Sequence, residues 1–182
     1  MLINFLEDTD GSRCTLTFEE ADQWIRATWT GHVDAIEAMR GADNYLMKAG
    51  PFHCPFLLND NVGLHGSWFD SVEWLERAWL PYALQLGLRY VAHVVQADRG
   101  HDILSLTFPE PVVGEIELQI FHHVQEAEYW LACALGSEQQ NASSLGTGLC
   151  VEEAFRRVSV GCSIPGRLLL SRAGCASNSP QS

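Results

Sequence analysis

With 182 residues, 47% of them hydrophobic, the chain is long enough to bury one core, and domain sizes favour a single domain over two. Its net charge of −12 disfavours nucleic-acid backbones and anionic lipid surfaces as partners, because both select clustered Lys and Arg. The first twenty residues lack the basic start and unbroken apolar run of a signal peptide, and no later run approaches a membrane span, so a cytoplasmic protein without membrane insertion is expected.

Met1 leads into a short strand over 2–6, and Glu7 to Gly11 forms a turn from residues that tolerate left-handed dihedrals. Segments 14–18 and 24–29 are rich in β-branched and aromatic residues, and the polar link 19–23 joins them, so the first three strands read as an antiparallel meander. From Val33 the period lengthens. Ile36, Met39, Ala42 and Leu46 fall near helical spacing, with Gly50-Pro51 as the stop. Phe56-Leu57-Leu58 reads as a short buried strand ending in the turn Asn59-Asp60-Asn61.

A long helix is predicted from Ser67, with Trp68, Val72, Leu75, Trp79 and Leu86 along one stripe and a bend at Pro81. Gly87 ends it, and 88–95 is the most strand-like stretch in the chain, apolar enough to be central and covered on both faces. Residues 98–114 read either as a helical turn or two or as a loop. Ile116, Leu118 and Ile120 then alternate with polar neighbours as a strand with one buried face, and a last helix spans 124–135 with Ala127, Trp130 and Leu131 inward. The expected fold is α/β, a mixed sheet of about five or six strands with helices packed on it.

After Gly136 the composition turns to Ser, Gly, Asn and Gln, so the division is a domain over 1–135 and a weakly ordered tail over 136–182. Charge divides at the same point. The first part carries 20 acidic and 7 basic residues, net −13; the second carries 3 and 4, net +1. The six cysteines lie far apart and none shows the two-residue spacing of a zinc knuckle or redox dithiol, which predicts free thiols. No two histidines stand at the i, i+4 spacing of a helical metal site, and no metal or cofactor is expected.

The most informative segment is 59–71, which joins a buried strand to the longest helix, where open α/β sheets form ligand crevices. Ser67 with Asp70 has the form of a helix cap, and Gly63 and Gly66 permit the turn. The functional reading of the same residues is a cradle of backbone amides flanked by His65 and Trp68. The loop lacks the Lys of a phosphate loop, and Gly66 directly precedes Ser67, unlike the Gly-x-Ser-x-Gly of a nucleophile elbow. Candidate binding residues are Asp60, Asn61, Gly63, His65, Gly66, Ser67, Trp68 and Trp74; Trp74 stands off the main helical stripe and would mark a binding face if exposed.

As a set, Trp24 to Gly31, Leu57 to Asn61, Gly66-Ser67-Trp68, Trp74, Trp79-Leu80-Pro81, Gly87 to Tyr90, Phe121 and the 127–131 helix resemble bacterial proteins with a STAS/SEC14-type domain, related in fold to anti-sigma-factor antagonists. The resemblance covers about residues 1–135. It implies a sheet with helices packed against it and a role in regulation or ligand sensing. It also makes Ser67 the position similar to the phosphate-accepting serine of those antagonists, although a longer loop replaces their compact Asp-Ser-Ser-Gly type sequence.

The function expected is therefore a non-catalytic regulatory or binding module for a protein partner or small ligand, with its site at 60–71. The alternative is a partner switch controlled by phosphorylation of Ser67, where added charge near Asp60 and Asp70 repels an interface. A hydrolase is the third reading.

Overall fold

In the computed structural model of the chain, residues 1–66, 72–96 and 116–146 are described. The β-rich start folds as the expected meander of β1 (Leu2–Glu7), β2 (Arg13–Glu19) and β3 (Trp24–His32). These strands are antiparallel, whereas β4 (Phe56–His65), β5 (Tyr90–Val94) and β6 (Glu117–Phe121) continue the sheet in parallel with β3. The result is one mixed six-stranded sheet in sequential order, β1 to β6. No described helix is long and apolar enough to cross a membrane.

Parallel neighbours need crossovers, and helices supply the first two. Helix α1 (Ala35–Ala49) connects β3 to β4. Asp34 starts it with a capping box: the Asp34 side chain accepts from the Glu37 N–H, and the Glu37 carboxylate accepts from the Asp34 N–H, both at 2.9 Å. Its buried stripe is Ala38, Gly41, Asn44, Tyr45 and Ala49, one step around from the Ile36 to Leu46 stripe expected from hydropathy, and Ile36 is exposed. Close packing decides this: a Cβ on Gly41 would lie 2.2 Å from Cη2 of Trp29, so the helix must turn its glycine, rather than its most apolar residues, toward the Trp29 ring.

The second crossover contains α2 (Val72–Trp74), a π-helical turn (Leu75–Trp79) and α3 (Leu80–Gln85) in unbroken succession. Pro81 offers no N–H and its ring crowds the carbonyl four residues back. The expected bend is taken up as the π turn, in which the Leu80 N–H donates to the Leu75 carbonyl, five residues back.

Helix α4 (Val124–Gly146) covers the opposite face of the sheet. Ala127, Trp130 and Leu131 are buried there as the periodicity predicts. Phe56 stacks on Tyr90 at 5.1 Å between ring centres, Tyr90 meets Trp130 edge-on at 6.1 Å, and Arg26 pairs with Glu128 across the face. The helix runs eleven residues beyond the end at Leu135 read from composition, from 135 to 146. One contact shows how it does so: the Tyr90 hydroxyl donates to Glu138 at 2.9 Å. Residues 98–114 and 147–182, which include the two-way reading and most of the tail, lie outside the described residues.

Candidate functional site

The largest departure from the sequence reading is β4, which continues for ten residues through Asn59-Asp60-Asn61 instead of turning there. Its polar residues are tolerated because a central strand offers each face a different partner. Arg26 and Leu58 pair on the α4 face, while Leu57, Asn59 and Asn61 and, past the bulge between Asp60 and Gly63, Leu64 face α1. Asp60 is half-buried, and its carboxylate accepts from the Val62 N–H at 3.2 Å. Gly63 is within the strand, and a Cβ there would lie 3.0 Å from the Thr30 methyl. His65 is the exposed last residue of β4, beside His32.

Gly66 has φ +102°, and a Cβ there would meet the Val33 carbonyl at 2.5 Å, so the turn leaving the sheet admits only glycine. Trp74 is half-buried rather than exposed. Ser67, Trp68 and Asp70 lie outside the described residues, and with them the capping and phosphoacceptor readings.

Between the sheet and the two crossovers lies a cavity of about 150 Å³, partly open to solvent. Leu16, Ala27, Leu57, Val91 and Leu118 contribute its sheet side; Ala38, Ala42 and Tyr45 of α1 and Leu75, Glu76 and Trp79 of the π turn contribute its helix side. The polar residues on the sheet side are Asn59, Asn61 and His93, and they form one network. Trp29 Nε1–H donates to Asn59 Oδ1 at 2.9 Å, which fixes the Asn59 amide with Nδ2 toward His93 Nδ1 at 3.0 Å. Nδ1 therefore accepts, and the ring proton resides on Nε2. Asn61 Nδ2 stands 2.9 Å from Nε2, and because Nε2 carries the ring proton, the hydrogen bond requires the Asn61 amide turned over, with Oδ1 accepting from Nε2–H.

Burial explains why this histidine is neutral. His93 is 8% exposed in the central strand β5, and desolvation pushes its pKa down to about 4. Both ring nitrogens are engaged by asparagines, so the imidazole is held in one tautomer and one orientation. Across the cavity, the half-buried Glu76 has its carboxyl pKa raised, first by desolvation, with Arg77 opposing and Glu73 assisting. Tyr45 and Trp79 pack at 5.5 Å between ring centres, and Trp79 Nε1–H donates to the Ala42 carbonyl at 2.7 Å, so the aromatic wall is fixed to α1.

No protein-family model, curated protein or solved structure matches the chain. The architecture is that of an α/β domain with a mixed sheet and packed helices. Of the residues singled out at 59–71, the structure brings Asn61 into the cavity and places Asp60 and His65 away from its lining. Asn59, which has the composition of a turn residue, and His93, inside the strand-like stretch 88–95, are the cavity residues that the sequence does not single out. Their signal was there to read: a lone histidine in the most apolar strand, and two asparagines at i, i+2, the spacing of one strand face. Among the described residues no three His, Cys, Asp or Glu side chains group as a metal site would require.

Proposed function

We propose that this chain is a small-molecule-binding domain of non-catalytic, regulatory type, with its site in the cavity between the sheet and the two crossover helices. The observation that carries the reading is the pairing of an apolar cavity of about 150 Å³ with a prearranged Asn59–His93–Asn61 network on its sheet side. Ligand sites have this composition: mostly apolar walls for affinity, and a few fixed polar groups for orientation. A cavity near this size accepts a benzene-sized molecule. The π turn supports the same reading, since such turns interrupt helices mostly at functional positions, and three of its five residues line the cavity.

His93 enters as an orienting group. With its pKa near 4 and both nitrogens hydrogen-bonded, it is poorly suited to act as a general base near neutral pH. The mixed sheet with helices packed on it also supports the finer STAS/SEC14-type reading, and with it a role in ligand sensing.

Ala42→Phe tests the proposal by filling the space from the helix side. Neutral benzene-sized probes such as benzyl alcohol are expected to raise the melting temperature of the native chain and to leave that of Ala42→Phe unmoved. Equal shifts in both proteins, or none in either, would count against the cavity as a site.

A further inference from the structure

Charge narrows what the cavity would accept. Among its described lining residues, Glu76 is the one acidic side chain, no Lys or Arg contributes, and His93 is buried with both ring nitrogens hydrogen-bonded to asparagines. Arg77, the nearest cation along the helix, points its charge at Glu73, 3.1 Å away, and both of those side chains are largely exposed. The aromatic rings of Trp29, Tyr45 and Trp79 share the lining with Glu76. Aromatic rings with a carboxylate, in a partly desolvated setting, favour a cation and penalise an anion. The field of the whole chain, net −12, acts in the same direction on an approaching ligand.

From this juxtaposition we infer that the cavity binds an organic ammonium ion, its apolar body of about benzene size against the sheet and its charge at Glu76. The inference rests on the cavity's being a ligand site, and deepens it by naming the chemical class. An ammonium head suits the geometry better than a guanidinium would. It is compact, and a single carboxylate satisfies it without the paired acceptors that a planar fork requires.

The test is calorimetric titration of the full chain near neutral pH with three probes of one size: benzylammonium, benzyl alcohol and benzoate. Benzylammonium is expected to bind about tenfold more tightly than benzyl alcohol, the ratio appropriate to one partly desolvated cation–carboxylate and cation–π contact, and benzoate more weakly than both. Glu76→Gln should remove the preference for the cation while leaving benzyl alcohol within about twofold. Glu76 is only half-buried, so the substitution is compatible with folding, and the comparison of probes on the native chain stands without it. Benzyl alcohol binding as well as benzylammonium would overturn the ammonium assignment and leave the cavity as a neutral-ligand site. Failure of all three probes to bind would overturn both.

Discussion

Acidification should weaken the fold through one identifiable side chain. His93 takes up a proton near pH 4 in the folded chain and near its ordinary 6.5 when unfolded, so between those values the unfolded state binds more protons. Stability therefore rises with pH across this window and is lost as pH falls from 6.5 toward 4. Two and a half units of difference, evaluated between about pH 7 and about pH 4.5, correspond to a loss of about 2.5 kcal/mol. For a domain whose whole stability is of order 5–15 kcal/mol, that is readily seen.

The assay is urea unfolding followed by circular dichroism at a series of pH values, on the native chain and on His93→Gln, which is neutral at every pH. Carboxylates do not obscure the comparison. Asp8 and Asp10 are held below their ordinary 3.8, first by backbone N–H donors of Thr9 and Ser12, so their contribution is lost only as pH falls below the window. Glu76, shifted upward, acts in the opposite sense in both chains and cancels in the difference. The native chain should lose about 2.5 kcal/mol more than the variant. Parallel losses in the two proteins would refute the buried, neutral histidine.

Two further substitutions probe the cavity wall. Gly41→Ala introduces a Cβ 2.2 Å from the Trp29 ring, so overpacking of about 1–3 kcal/mol should outweigh the helix-propensity gain of about 1 kcal/mol, and chemical denaturation should show a less stable protein. Trp29→Phe removes the donor to Asn59 Oδ1 and should cost about 1–3 kcal/mol. It also frees the Asn59 amide to turn, so the His93 ring nitrogens should change their tautomer balance by nitrogen NMR; an unchanged spectrum would show that Trp29 does not set the tautomer.

The meander, the central strand at 90–94 and the inward face of α4 were legible because each rests on a local pattern: β-branched alternation, a continuous apolar run, and Ala127, Trp130 and Leu131 at helical spacing. The buried face of α1 was not. Its position depends on Trp29 requiring a glycine opposite, a contact between residues 29 and 41 that no local window contains. The extent of β4 was obscured for a related reason. Asn59-Asp60-Asn61 has the composition of a turn, and only the partners that the sheet brings to it, Trp29 from β3 and His93 from β5, make those residues part of a strand. The candidate site was half legible: Asn61 was singled out, and the reason for its importance lay 32 residues away at His93.

The most direct test of the cavity as a ligand site is to follow the indole N–H resonances of the full chain by NMR while benzylammonium is added. Trp29 and Trp79 line the cavity, whereas Trp24 is buried away from its lining and Trp130 lies on the opposite face of the sheet, against Tyr90 and Phe121. The account predicts saturable shifts for Trp29 and Trp79, with Trp24 and Trp130 unmoved. Shifts confined to Trp24 or Trp130, or no saturable shift at any of the four, would contradict it.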